Sequence, residues 1–130
     1  MAKILVIEDD ATFLDLVRVH LSGEGHEVIM AEDAAIGLRA VIADRPDLVV
    51  LDIFVPYLDG FEVLAALQSD PATRGIPVIV LTGHGDDETF ARARQLGAAA
   101  FLTKPVEGTR LIRAIEEQLA ARPGPAAARE

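Results

Sequence analysis

Four apolar runs in this 130-residue chain stop at side chains able to do chemistry. Glu8, Asp9 and Asp10 follow the run at 3–7, and Asp52 follows 47–51. Thr82 follows 76–81, and Lys104 lies just past 99–102. Carboxylates crowded at one rim repel each other and raise one another's pKa unless a cation neutralises them. Hard oxygen ligands, few in number and with room left for water, suit Mg²⁺ better than zinc or copper. Lys104 adds a second positive charge. A carboxylate beside Mg²⁺ and a lysine is suited to attack a phosphoryl group, because that transfer is mostly positioning and charge neutralisation, and Thr82 can hydrogen-bond one of the phosphoryl oxygens. The alternative for Asp10 is a helix cap. That alternative fails for Asp52, whose next residues are apolar Ile53, Phe54 and Val55 and not a helix.

These residues converge only if the elements carrying them lie side by side. The run at 3–7 has a buried-strand pattern, and 11–22 follows with Phe13, Leu14, Val17 and Leu21 at helical spacing. The pattern recurs as strand 27–31 with helix 33–43, strand 47–51 with helix 60–69, strand 76–81 with helix 86–96, and strand 99–102 with helix 107–121. Gly23, Gly25, Pro46, Pro71, Gly75 and Gly97 punctuate the joins. Five strand–helix units of this kind predict an α/β protein, (βα)5, with an open, doubly wound parallel sheet and helices on both faces, a three-layer sandwich. Five units are too few for an eight-stranded barrel. The run 27–31 is the least uniformly apolar and belongs at the sheet edge. In open α/β sheets the site lies beyond the carboxyl ends of the strands, where the winding reverses, and that is where Glu8, Asp9, Asp52, Thr82 and Lys104 fall.

Composition narrows the function classes. With 51% apolar residues the chain can build one core, so residues 1–121 read as one domain. The nine residues 122–130 carry two prolines and no core periodicity, and read as a disordered tail or the start of a linker. The absence of cysteine excludes disulfides, thiolate metal sites and a cysteine nucleophile. A formal charge of −9 has the wrong sign for direct nucleic-acid binding. No apolar run is long enough to span a membrane, and Met1-Ala2-Lys3 leads into a strand with no secretory signal, so a cytoplasmic location is expected.

Glu8-Asp9, Asp52 with Pro56 and Asp59-Gly60, Thr82-Gly83, and Phe101 three residues before Lys104-Pro105 together resemble the receiver domain of two-component response regulators, of the chemotaxis-regulator type. The likeness runs from residue 3 to about 121. It implies the strand order 2-1-3-4-5. It also implies a phosphorelay switch in which Asp52 accepts a phosphoryl group from the phosphohistidine of a sensor kinase. Asp9 and Asp52 then bind Mg²⁺ directly, Glu8 acts mostly through water, and the backbone carbonyl of Phe54 completes the protein ligands. Thr82 and Lys104 hold the phosphoryl oxygens, Phe101 is the switch aromatic, and Lys104-Pro105 is cis. A phosphoprotein of this kind turns over nothing but its own phosphorylation and dephosphorylation, so it is not an enzyme in the ordinary sense. Its implied partners are a sensor histidine kinase or phosphotransfer protein, and a downstream protein or effector domain on the face of helix 4, strand 5 and helix 5.

The chain departs from the commonest pattern at three positions. Phe54 stands where Met or Asn is frequent, Gly83 where Ala is frequent, and Phe101 where Tyr is also common. None removes a catalytic group; they bear on phosphorylation lifetime and switching. His84, two residues past Thr82, is either plain surface or, with Phe54, a tuner of hydrolysis. His20 and His26 read as surface or boundary residues. The acidic run 86–88 favours the positive end of a helix. A haloacid-dehalogenase-like phosphatase needs a second Asp two residues after the first, where Phe54 stands. A flavodoxin-like FMN site needs a hydroxyl- and glycine-rich loop where Glu8-Asp9-Asp10 stands. A non-phosphorylated receiver kept as an interaction module usually lacks a key group, and none is missing here.

Overall fold

The computed structural model describes residues 2–54, 59–83 and 87–121. Pro56, His84, Asp86 and the tail at 122–130, all named above, lie outside the described residues. Five strands and five helices alternate. They are β1 (Lys3–Ile7), α1 (Ala11–Gly23), β2 (Glu27–Ala31), α2 (Ala34–Asp44), β3 (Leu48–Asp52), α3 (Gly60–Ser69), β4 (Val78–Thr82), α4 (Asp87–Gln95), β5 (Ala100–Thr103) and α5 (Gly108–Ala121). The strands form one parallel sheet in the order β2-β1-β3-β4-β5, which puts β2 at an edge as its mixed composition predicts.

Successive side chains of a strand point to opposite faces, so a strand that is apolar throughout must be covered twice. On one face Leu5, Ile7, Val49, Leu51, Val78 and Val80 pack against residues of α2, α3 and α4, among them Val41, Leu64, Leu67 and Ala93. On the other, Ile4, Val6, Leu48, Val50, Ile79 and Leu81 pack against Leu14, Val17 and Leu21 of α1 and Leu111 and Ile115 of α5. β3 and β4 are buried at every position.

Three strand boundaries differ from the sequence-based expectation. β3 starts at Leu48, one residue late, because Asp47 pairs with Lys3 at the foot of the sheet: its carboxylate accepts from the Lys3 amide at 2.8 Å, and its own amide donates to the Lys3 carbonyl at 2.7 Å. β4 begins at Val78. Pro77 has no N–H to give the ladder, and the Ile76 amide closes a turn onto the Thr73 carbonyl at 2.9 Å. β5 likewise runs one residue later than expected, Ala100–Thr103. The shifts move Asp52 and Thr82 from just beyond their strands to the last strand positions. In the parallel register Asp52 lies opposite Leu81 and Thr82 opposite Thr103, so the ends of β1, β3, β4 and β5 reach one rim together.

Candidate functional site

Glu8 follows the last residue of β1, and its amide is bonded to the Ala31 carbonyl at 2.9 Å. Its carboxylate is fully buried and accepts from the amides of Asp9, at 2.8 Å, and Asp10, at 3.2 Å. Asp9 is exposed beside it. Asp10 turns away from the rim to cap α1, accepting from Thr12 N at 3.0 Å and Phe13 N at 3.3 Å, so the capping alternative describes it. Carboxylate oxygens of Glu8, Asp9 and Asp52 lie within 4.8 Å of one another, close enough to share one cation. Three hard oxygen donors, two buried and one facing solvent, fit a Mg²⁺ ion that keeps several waters.

Asp52 is only 6% exposed, and both of its oxygens are held. Oδ1 accepts from the Phe54 amide at 2.9 Å and Oδ2 from the Lys104 ammonium at 2.8 Å. The same ammonium donates to Glu8 Oε1. The Lys104 amide bonds the Thr82 carbonyl at 2.8 Å, and the Lys104-Pro105 peptide is cis. Burial pushes Glu8 up to about 7; the hydrogen bond from Lys104 pulls the other way, and the Asp52 charge adds to the rise. Burial works against the Lys104 ammonium, but its bonds to Asp52 and Glu8, together with their charges, outweigh that and hold its pKa above the ordinary lysine value. The rim thus sets three carboxylates, Glu8, Asp9 and Asp52, against the one Lys104 ammonium.

The start of α3 is fixed directly against Ile53, the residue after Asp52. Asp59 caps α3 by accepting from the Phe61 amide at 2.8 Å, and the Gly60 amide donates to the Ile53 carbonyl at 3.2 Å. A Cβ on Gly60 would stand 2.3 Å from the Ile53 Cα, so only glycine permits this approach. Phe54, beside Asp52, is 51% exposed.

Thr82 is fully buried at the end of β4. Phe101, on β5, is half-buried and stacked on Phe90 of α4, with ring centroids 4.5 Å apart and planes 20° apart. The guanidinium of Arg94 lies 5.2 Å from the Phe101 ring. The structure therefore brings Glu8, Asp9, Asp52 and Lys104 into one cluster and places Phe101 in a separate aromatic contact. His20 and His26 are half-buried boundary residues; His20 packs against Gly108, and His26 Nδ1 accepts from the Ala2 amide at 3.2 Å. Sequence reading took Phe13 only as one of the apolar residues at helical spacing in the first helix and gave neither Phe13 nor Phe90 a part in the site. Phe13 lies under the Lys104 ammonium, 5.0 Å from ring centroid to Nζ. Both make contacts between distant elements, Phe13 of α1 with Lys104 and Phe90 of α4 with Phe101 of β5, and helical periodicity alone does not show which partner such a residue meets.

Fold and rim together define a doubly wound α/β protein with a cation-competent acidic site at its switch point. Residues 4–116 match the family model of the response regulator receiver domain, and the chain belongs to that family. It is 34% identical over 120 residues to the protein PilH of Pseudomonas aeruginosa, covering 92% of this chain and 99% of that one. It is 38% identical over 118 residues to the transcriptional regulatory protein GlrR of Escherichia coli, covering 91% of this chain but only 26% of GlrR, about a quarter of its length. Among solved structures, a CheY-like response regulator receiver domain protein from Methanospirillum hungatei superposes with a TM-score of 0.88 at 30% identity, covering 94% of this chain and 96% of that one. Family membership sets aside the phosphatase and flavin-binding alternatives. No helix among the described residues is long and apolar enough to cross a membrane.

Proposed function

We propose that Asp52 is the phosphoacceptor of a cytoplasmic two-component phosphorelay, with residues 1–121 as the receiver domain. The observation that carries this reading is the Asp52 carboxylate held at 2.8 Å by Lys104 and at 2.9 Å by the Phe54 amide, with Glu8 and Asp9 beside it. An Asp52 oxygen attacks the phosphorus of a kinase or phosphotransfer-protein phosphohistidine. The new P–O bond forms as the P–N bond breaks, and the imidazole leaves. Lys104 and Thr82 hold the phosphoryl oxygens, and the Lys104 charge, already at Asp52, needs no reorganisation at the moment of transfer. Asp9 and Asp52 would hold Mg²⁺ directly, Glu8 through water, and the Phe54 carbonyl would complete the set. The ion supplies charge neutralisation on the transferred group. Phe54 and His84 are the positions suited to set the lifetime of the phosphorylated state.

The output face in this reading is α4, β5 and α5. Movement of Thr82 toward the phosphoryl group opens space for Phe101 to turn inward, Phe101 leaves its stack on Phe90, and α4 repacks, exposing a new surface to a downstream protein or effector domain.

Incubation with acetyl phosphate and Mg²⁺ is expected to add one base-labile phosphoryl group, lost in Asp52→Asn and in EDTA. Labelling that survives Asp52→Asn would show the acceptor to be elsewhere. Amide exchange with and without a beryllofluoride mimic tests the output face, where α4 and β5 are expected to respond; a response confined to α1 and α2 would place it elsewhere.

A further inference from the structure

Lys104 must keep its ammonium at Asp52 while its other partner, Glu8, is drawn toward a bound cation. A lysine stem has four rotatable carbons and much rotamer freedom to lose, so a site that relies on it benefits from a wall that restrains it. The Phe13 ring is such a wall. It stands with its centroid 5.0 Å from Lys104 Nζ, and it is carried on the first turn of α1, whose Leu14, Val17 and Leu21 are buried in the core. Phe13 itself is half-buried and packs on the same apolar cluster as Val106, two residues beyond Lys104. It also lines a narrow apolar cleft with Val106 and Gly108, so it stands beside both the lysine and the segment that follows it.

The chemistry of the ring matters as much as its bulk. An aromatic face attracts an ammonium through its quadrupole and carries no net charge. A third carboxylate in the same place would hold Lys104 equally well, but it would repel the incoming phosphoryl group and compete for the metal. We propose that Phe13 is a positioning residue for phosphoryl transfer, holding the Lys104 ammonium at Asp52 by a cation–π contact without adding negative charge to the rim.

The inference rests on Asp52 being the acceptor, and its test separates the two ideas. Phosphorylation by acetyl phosphate at saturating Mg²⁺ would be timed in the wild type, in Phe13→Leu and Phe13→Trp, and in proteins carrying para-fluoro-, trifluoro- and pentafluorophenylalanine at position 13. The fluorinated rings keep the shape and drain the quadrupole, so folding is not at issue. Phe13→Leu is expected to slow transfer by about three- to tenfold with Mg²⁺ affinity unchanged, Phe13→Trp to preserve it, and the fluorinated series to slow it stepwise. The Lys104 ε-methylene resonance should also lie upfield in the wild type and relax downfield in Phe13→Leu. Asp52 labelling at wild-type rates across the fluorinated series would overturn the inference and leave the acceptor standing. An unlabelled wild type would overturn the acceptor, and the Lys104 resonance would then decide the contact alone: no change in Phe13→Leu rejects it.

Discussion

Helices α1 and α4 flank the same rim, yet they are attached to the sheet by different physics. α1 buries Leu14, Val17 and Leu21 and is capped at its start by Asp10. α4 buries only Ala93, and its other described attachments are face contacts: Phe90 on Phe101, Arg94 over the same ring, and Arg92 4.1 Å from the ring of Phe61. Burial of aliphatic side chains is non-directional and grows with area, so it resists any displacement of the helix. A ring stack or a cation over a ring depends on geometry, and a shift of an ångström or two exchanges it for something else. The difference teaches a division of labour. The acids stand next to the helix held by aliphatic burial, and the aromatic of β5 is tied to the one held by face contacts.

The contrast is tested most severely by Leu21→Ala. Leu21 is completely buried, and its truncation is expected to lower stability by about 3 kcal/mol in urea unfolding. A loss below about 1 kcal/mol would mean that α1 is no better anchored than α4.

The next effect concerns charge on the fixed side. Glu8 titrates near 7 in the folded protein because it is buried, against an ordinary value of 4.5. Between those two pH values the folded state keeps a proton that the unfolded chain releases, so unfolding liberates it and metal-free stability falls as pH rises from 4.5 to about 7, by about 2 kcal/mol. Glu8→Gln should flatten that slope, while Phe90→Ala should leave it unchanged. Mg²⁺ should offset the fall at neutral pH, since it favours the ionised carboxylate. A slope that persists in Glu8→Gln would trace the effect to other groups.

Phe90→Ala should cost about 1 kcal/mol globally, less than Leu21→Ala, yet accelerate amide exchange throughout α4 while leaving α1 protected. Arg94→Ala should do the same more weakly, by about 0.5 kcal/mol, since Arg94 is exposed. Equal acceleration in both helices would erase the contrast.

The sheet was legible because its signals are local and agree with one another. Strands β1, β3 and β4 are apolar on both faces, and Gly and Pro mark the joins, so five units could be read without knowing their order. The start of β3 was set by a pairing that no single segment contains, Asp47 reaching Lys3 across 44 positions, whereas the start of β4 was set locally, by Pro77 and the turn of Ile76 onto Thr73. The acidic cluster was legible for a related reason: parallel strands bring their carboxyl ends to one edge, so a residue that follows a strand is already located. Its wiring was not. That Lys104 spans Glu8 and Asp52 at once, and that Phe13 backs it, depends on side-chain directions from four elements meeting at one point. Asp10 shows the opposite case, where the ambiguity between cap and ligand is settled by which amides happen to lie within reach.

The approach of Gly60 to Ile53 has a consequence for how this gene can vary. At Gly23, Gly75 and Gly83 a Cβ would meet nothing within 4 Å, so alanine is sterically free to appear there by drift. At Gly60 every codon change that adds a side chain drives a carbon into the Ile53 backbone, and backbone, unlike the end of a flexible side chain, has no rotamer to escape into. The position is therefore closed to single-step substitution, however mild. In a saturation library selected for folded protein, Gly60 should return as the sole survivor at its site while Gly23, Gly75 and Gly83 diversify. The length of the segment between Asp52 and α3 would be inherited with it, since an insertion or deletion there must still deliver a glycine to the same spot.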